Sequence, residues 1–204
     1  MTDKKSHWES VYREKSPLEK SWYEDTPELS LQLIHNTQIN HGQAIIDIGG
    51  GSSTLVDHLY DEGYTNISVL DISSTALAYT RNRLGDKANT IQWYEDDITL
   101  FKPAQTFSVW HDRAVFHFLT EMSDRNKYVD ILKQALEPGG HLIIAAFAIG
   151  GPTKCSNLDI VQYDAGKLIN ELGEGFELVE EINDIHITPA NKQQEFAYFR
   201  FIRK

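Results

Sequence analysis

The sequence predicts an α/β fold in which a mostly parallel sheet is covered by helices on both faces and ends in an antiparallel pair of strands. Three observations favour this fold. Short β-branched runs alternate with stretches of helical periodicity along residues 44–147. The runs IIDIG and HLIIAAF are dense in apolar residues, as expected of strands buried on both faces. Near the C-terminus two strand-like runs follow one another without a helix, which is typical of a hairpin.

The alternating part supplies five strands and three helices. The strands are rich in β-branched or aromatic residues, and they are predicted over 44–48, 67–71, 90–94, 107–111 and 141–147. The helices repeat apolar residues every three or four positions, and they are predicted over 54–62, 74–84 and 124–136. Such alternation pairs strands in parallel through right-handed crossovers.

The two ends of the chain depart from this alternation. After a helix near residues 164–172, strands over 176–187 and 195–204 form the predicted hairpin. The first 43 residues contain a short amphipathic piece at 8–13 and a helix over about 27–39. Five parallel strands followed by a hairpin predict seven strands in one sheet.

Length, composition and charge narrow the class of protein. A chain of 204 residues is long enough for one domain with a full core. Its formal net charge of −11 argues against sequence-independent nucleic-acid binding, which needs a basic surface. No stretch of the sequence is apolar over the length of a membrane span, and the polar first residues are unlike a secretory signal. A single cysteine and scattered histidines favour neither a disulfide nor a metal site. We therefore expect a single-domain cytoplasmic protein that binds no nucleic acid, membrane or metal.

A glycine loop follows the first predicted strand and precedes a helix. Ligands of open α/β sheets bind outside the carboxyl ends of the strands, which is where this loop lies. Gly49 and Gly51 match the first two glycines of the dinucleotide-binding pattern, but Thr54 stands at the third position. The loop therefore predicts close approach of a ligand to the backbone without identifying that ligand.

Three acids near strand ends narrow the choice of ligand. Asp71 ends the second strand, where an acid can hydrogen-bond ribose hydroxyls, although it also fits the N-cap region of the next helix. Asp97 follows the third strand, where it is a candidate acceptor for an adenine amino group. Asp47 directly precedes the glycines, and its carboxylate would repel a phosphate but attract a cation. The predicted ligand therefore has adenine, ribose and a cationic amino-acid end.

Five stretches carry these features in order: IIDIGGGSS (45–53), VLDIS (69–73), EDDI (95–98), FSVWHDRAVFHFL (107–119) and LEPGGHLII (136–144). With the antiparallel tail, the chain resembles the class I, seven-stranded S-adenosylmethionine-dependent methyltransferases. HWESVYREK and SWYE are similar to a bacterial group of small methyltransferases related to elongation-factor lysine methyltransferases, and HDRAVFHFL is similar to thiopurine and thiol methyltransferases. The resemblance implies a three-layer α-β-α Rossmann-like fold, S-adenosyl-L-methionine as donor and S-adenosyl-L-homocysteine as product.

The resemblance also implies roles for residues around the donor. The implied donor contacts are Asp47, Gly49, Gly50, Gly51, Asp71, Ile72, Asp97, Ile98, Trp110 and His111. The candidate acceptor contacts are Trp22, Tyr23, Arg113 and His117. Trp22 and Tyr23 fit equally well as an aromatic anchor for the N-terminal segment, and Arg113 fits a structural ion pair with an acid of that segment.

A general base is required only if the acceptor arrives protonated, because alignment alone can accelerate displacement at an activated sulfonium. His117 is the candidate for this catalytic role. The alternative for His117 is a packing residue between its phenylalanine neighbours. Asp112 fits either a substrate contact or a helix N-cap.

We interpret residues 1–43 as an N-terminal lid and helical segment, 44–147 as a donor-binding core, and 148–204 as an acceptor-side loop, helix and hairpin. The predicted function is methyl transfer to a small, partly apolar acceptor, because aromatic residues before and after the core crowd the approach. A protein lysine methyltransferase is the main alternative. A nicotinamide-dependent oxidoreductase would favour a third glycine, and a non-catalytic donor-binding module would lack an acceptor pocket. The sequence predicts no oligomeric state.

Overall fold

The structure is a computed structural model that describes residues 4–14 and 16–204. Its α-helices are α1 (Lys4–Glu14), α2 (Glu28–His35), α3 (Leu55–Asp61), α4 (Ser74–Leu84), α5 (Met122–Ala135) and α6 (Ala165–Leu172). Its strands are β1 (Ile45–Ile48), β2 (Ile67–Asp71), β3 (Gln92–Glu95), β4 (Phe107–Arg113), β5 (Leu136–Phe147), β6 (Lys154–Cys155), β7 (Leu158–Asp159), β8 (Phe176–Ile187) and β9 (Gln193–Arg203).

Seven of the described strands form one sheet in the order β3-β2-β1-β4-β5-β9-β8. The first five are parallel to one another, whereas β9 pairs antiparallel with both β5 and β8. The predicted α/β fold with a C-terminal antiparallel hairpin is confirmed. Because the chain order turns back beside β1, the carboxyl ends of β1 and β4 lie next to each other at the point where such sheets bind ligands.

Alternation along the strands divides the core between the two faces of the sheet. Ile46 and Ile48 join Trp110 and Leu142 in one buried cluster. Ile45 packs in the opposite cluster with Val109 and Ile143. All four residues of β1 are buried, which explains why its sequence is apolar on both faces apart from Asp47.

The N-terminal segment lies across the carboxyl ends of the strands and is fixed to α4 by one acid. The Glu9 carboxylate accepts hydrogen bonds from Ser74 N at 2.7 Å, from Ser74 Oγ at 2.9 Å and from the Thr75 hydroxyl. Burial opposes its ionisation, but these hydrogen bonds lower the pKa of Glu9. Glu9 thus satisfies a free backbone N–H in the first turn of α4 and holds α1 over the sheet.

A small hairpin of β6 and β7 stands apart from the main sheet, and the sequence did not predict it. Its two-residue turn has positive φ at Ser156 (50°) and Asn157 (64°), as primed hairpin turns require. Each strand has only two residues, so no alternation is available to signal it.

Within the described residues, no helix combines the length and apolar character needed to cross a bilayer. The longest, α5, has 14 residues.

Candidate active site

Two cavities open at the carboxyl ends of the parallel strands. The main cavity, of about 1020 Å³ including space open to solvent, runs from the ends of β2 and β3 past the loop after β4 to β9. The side cavity, of about 540 Å³ on the same basis, lies between the glycine loop and the segment before α2. Both are lined by Trp22, Gly49 and Arg113, so they adjoin at the glycine loop.

The glycine loop has no room for side chains. Gly49 has φ of +70°, and a Cβ there would come within 3.0 Å of the Val115 side chain. A Cβ on Gly50 would meet the Asp47 carboxylate, and one on Gly51 would meet the Asp71 carboxylate, again within 3.0 Å. The loop backbone therefore packs directly against both acids, which only glycine allows.

Asp71 lies in the wall of the main cavity. One carboxylate oxygen accepts from Gly51 N at 3.0 Å and the other from Ser73 N at 2.8 Å. Burial raises the pKa of Asp71 to about 6, although these hydrogen bonds act against the shift. Asp71 thus joins β2 to the glycine loop while facing the cavity.

Ile72, Asp97 and Ile98 also line the main cavity. The Asp97 carboxylate accepts from Thr99 N and Thr99 Oγ1, both at 2.8 Å. These residues place two apolar side chains and one oriented acid beside Asp71.

Asp47 lies in the wall of the side cavity, and only one of its two carboxylate oxygens has a hydrogen-bond partner. Its Oδ1 is 2.6 Å from His111 Nδ1, and His111 Nε2 is 2.9 Å from Ser30 Oγ. Its Oδ2 is buried and has no hydrogen-bond partner within residues 4–14 and 16–204. A buried, unpaired carboxylate oxygen costs free energy unless a ligand supplies a donor, and an ammonium group is a suitable donor.

Arg113 connects the N-terminal segment to the sheet. Its guanidinium donates to Tyr198 Oη at 2.8 Å, to the Trp22 carbonyl at 2.9 Å and to Glu24 Oε1 at 2.8 Å. The alternative in which Arg113 pairs with an acid of that segment is therefore what the structure shows. Its side chain still lines both cavities.

Trp22 and Tyr23 occupy different places. Trp22 lines both cavities, and its ring packs edge-on against Trp8 with centroids 6.0 Å apart. Tyr23 lines only the side cavity, and its hydroxyl donates to Asp25 at 3.2 Å. The structure therefore places Trp22, and not Tyr23, in the main cavity.

The prediction that Trp110 contacts the donor is wrong. Its side chain has no exposed surface and lies in the core beneath the sheet, outside both cavities. The indole N–H donates to Tyr128 Oη at 2.8 Å. Neighbouring strand residues face opposite sides, so Trp110 points away from the face that His111 occupies.

The prediction that His117 is a catalytic base and acceptor contact is also contradicted. It lies in a short 3₁₀ turn, Phe116–Phe118, and lines neither cavity. Its ring packs against Phe118 and Phe147, with centroids 4.4 and 5.1 Å away. Burial lowers the pKa of His117 to about 3, so the imidazole is neutral and a weak base. The packing alternative is the one observed.

Asp112 acts as a cap. Its Oδ1 accepts from Val115 N at 2.9 Å and Phe116 N at 3.2 Å, and its Oδ2 accepts from Tyr128 Oη at 2.7 Å. This network fixes the loop after β4, including the Val115 side chain that contacts the glycine loop.

Several lining residues of the main cavity were not predicted to contact a ligand. They share no sequence motif, since they come from α1, the loop after β4, β5, β7 and β9: Tyr12, Leu119, Phe147, Leu158, Gln194 and Phe196. Among the described residues no group of three histidine, cysteine or acidic side chains is placed to hold a metal ion.

Comparison with known proteins finds similarity to methyltransferases. A model of the methyltransferase domain family matches residues 46–142. Human EEF1A lysine methyltransferase 2 is 24% identical over 193 residues, which are 87% of this chain and 76% of that protein.

Solved structures share the fold. N-methyltransferase NodS from Bradyrhizobium japonicum WM9, in complex with S-adenosyl-L-homocysteine, is 19% identical with a TM-score of 0.74, covering 98% of this chain and 99% of that one. A structure described for the conversion of a disulfide bond into a thioacetal group during echinomycin biosynthesis is 18% identical with a TM-score of 0.80, covering 99% and 92%. In its sheet order and in its match to the methyltransferase domain family over residues 46–142, this chain is similar to the class I S-adenosylmethionine-dependent methyltransferases.

Proposed function

We propose that this methyltransferase holds S-adenosylmethionine across the two cavities and transfers its methyl group to a small, partly apolar acceptor in the main cavity. The adenosine would lie in the main cavity, with its ribose hydroxyls on Asp71 and its adenine between Ile72 and Ile98. Asp97 would accept from the adenine amino group. The methionine end would pass Gly49 into the side cavity, where its ammonium would meet Asp47.

The observation that carries this proposal is the pair of buried carboxylates on either side of the glycine loop. Asp71 faces the main cavity, and the unpaired Asp47 Oδ2 lies beside Gly50 in the wall of the side cavity. A ligand with a diol at one end and a cation at the other matches both acids. A dinucleotide phosphate would be repelled by Asp47.

The transfer itself is a displacement at carbon. A lone pair of the acceptor forms a bond to the methyl carbon, the carbon–sulfur bond breaks, and the sulfur keeps its electron pair as a neutral thioether. Alignment of the two reactants supplies most of the acceleration, since the sulfonium is already an activated leaving group. Aromatic faces such as that of Trp22 would stabilise the sulfonium by about 0.5–2 kcal/mol.

We propose a small acceptor because the main cavity is enclosed by several elements of the fold. The main cavity is walled by α1, by the segment around Trp22 and by Cys155 and Leu158 of the β6–β7 hairpin. A protein side chain would have to enter past these elements, whereas a small molecule fits a largely apolar cavity with few polar groups. The human relative, named a lysine methyltransferase, makes a protein lysine the alternative acceptor.

Labelled donor incubated with cell lysate separates these acceptors. We expect the label to appear in the small-molecule fraction. Label that accumulates on one protein band, and not on small molecules, would show a protein substrate instead.

We also propose that the protein is cytoplasmic and that residues 1–204 form a single domain.

We further propose that residues 1–26 act as a lid. This proposal is supported by Trp8 and Trp22, which line the main cavity, and by the Glu9 contacts that fix α1 to α4. Closing lids exclude water and complete a site. Adding S-adenosylhomocysteine should slow amide hydrogen exchange across this segment more than in β8 and β9. Equal exchange with and without the ligand would leave the segment as a static part of the fold.

A further inference from the structure

Part of the main cavity is walled mostly by aromatic rings. We call it the acceptor end, and its rings are Trp8, Tyr12, Trp22, Phe118, Phe147 and Phe196. Trp8 packs edge-on against Phe118 with centroids 5.0 Å apart, and Phe147 packs edge-on against Phe196 at 4.7 Å. Aromatic surfaces in these orientations present both ring edges and faces, which suits a planar aromatic guest.

One polar group at the acceptor end is unsatisfied. Gln194 lines the cavity near the start of β9, and its Oε1 is buried without a hydrogen-bond partner in the part of the chain that the structure describes. An amide oxygen accepts hydrogen bonds and donates none. Leaving it unpaired costs about 1–3 kcal/mol, which a ligand N–H or O–H would recover.

Apart from the acids at the ends of β2 and β3, the described residues that line the main cavity include no general base. Burial raises the pKa of Tyr12, and burial raises the pKa of the Cys155 thiol to about 11, so both are protonated at neutral pH. Arg113 is a cation already paired with Glu24. His117 packs behind this wall and does not reach the cavity.

This arrangement limits the acceptor to molecules that are nucleophilic on arrival. An aliphatic ammonium with a pKa of about 10.4 carries no lone pair at neutral pH, and an alcohol needs a base to become reactive. An aromatic amine or a nitrogen heterocycle keeps a free lone pair at that pH. The planar rings of these molecules can also pack against the aromatic side chains of the acceptor end.

On the basis of the proposed function, we propose that the acceptor is a small planar nitrogen heterocycle or aromatic amine, bound among the rings of the acceptor end with an N–H donated to Gln194 Oε1. Its free nitrogen lone pair forms the bond to the methyl carbon as the carbon–sulfur bond breaks. The methylated nitrogen compound is a cation at that moment, and it becomes neutral by releasing its N–H proton to water.

Methyl transfer to two probes of similar size tests the assignment. Benzimidazole has an N–H, a free ring nitrogen and no charge at neutral pH, whereas benzylamine is an aliphatic ammonium. With labelled S-adenosylmethionine at pH 7.5, we expect kcat/KM for benzimidazole to exceed that for benzylamine at least tenfold. Equal or higher values for benzylamine, or label on protein alone, would overturn the proposal.

Substitution of Gln194 tests the hydrogen bond. Gln194→Leu should lower kcat/KM for benzimidazole about tenfold or more, while calorimetric affinity for S-adenosylhomocysteine stays unchanged. Gln193→Leu is the matched control, because Gln193 is exposed on the same strand and does not line the cavity. Equal rates in the two variants would overturn the role of Gln194. Failure of the wild-type protein to bind S-adenosylhomocysteine would instead refute the proposed function.

Discussion

The Asp71→Ala variant is expected to lose about 2–4 kcal/mol of binding free energy for S-adenosylmethionine, which is roughly 30-fold to 1000-fold in affinity. The proposed site gives Asp71 two charge-assisted hydrogen bonds to the ribose, and alanine makes neither. Isothermal titration calorimetry measures the loss. Asp71→Asn should show a smaller loss, because it keeps a hydrogen-bond acceptor for the glycine loop but removes the charge.

Two comparisons separate this effect from damage to the fold. Asp130→Ala removes an exposed acid of α5 that lines neither cavity, and this variant should bind the donor normally. In the wild-type protein, affinity should fall as the pH drops below about 6, because burial raises the pKa of Asp71 to about 6 and the neutral acid makes weaker hydrogen bonds. Near-normal affinity in a folded Asp71→Ala protein would reject the assignment.

Gly49→Val is expected to abolish measurable donor binding while the sheet persists. Gly49 has φ of +70°, which valine adopts only with strain, and a Cβ would collide with Val115. The added side chain would also stand where the proposed donor passes between the cavities. Calorimetry for binding and circular dichroism for the fold measure the two consequences separately.

Gly85→Ala is the control for the backbone strain alone. Gly85 also has a positive φ, of +58°, but a Cβ there would meet no atom within 4 Å. This variant should lose about 1–3 kcal/mol of stability and bind the donor as the wild type does. If Gly49→Val binds the donor normally as well, the loop is only a turn.

Local signals explain which elements were predictable. β2 and α4 have the predicted bounds, Ile67–Asp71 and Ser74–Leu84. Ser73 caps the helix by accepting from Ala76 N, and Gly85 ends it with a positive φ. In contrast, the predicted helix over 27–39 ends at His35, because the chain turns at Gln38, which has a positive φ of 57°.

The candidate site was predictable where strands position it and unpredictable where loops do. Asp71 and Ile98 lie at or just after strand ends, and both line the main cavity as the sheet topology suggests. Trp110 and His111 are neighbours on β4, and neighbouring strand residues point to opposite faces of the sheet. The two side chains therefore cannot line the same pocket. The orientation of His117 depends on a single 3₁₀ turn, for which no sequence periodicity exists.

No local sequence pattern predicts that residues from distant segments of the chain line the same cavity. Gln194 belongs to the C-terminal hairpin, and Tyr12 belongs to the N-terminal helix, yet both line the main cavity. Their meeting depends on β9 inserting between β5 and β8 and on Glu9 fixing α1 to α4. Only the assembled sheet brings these side chains to one site.

The most direct test of the proposed donor site is a calorimetric titration of the wild-type protein with S-adenosylhomocysteine and, separately, with NAD. Asp47 and Asp71 together favour a ligand with a cationic end and a ribose, so we predict saturable binding of S-adenosylhomocysteine at one site per chain and no measurable binding of NAD. Binding of NAD with no binding of S-adenosylhomocysteine would contradict the account.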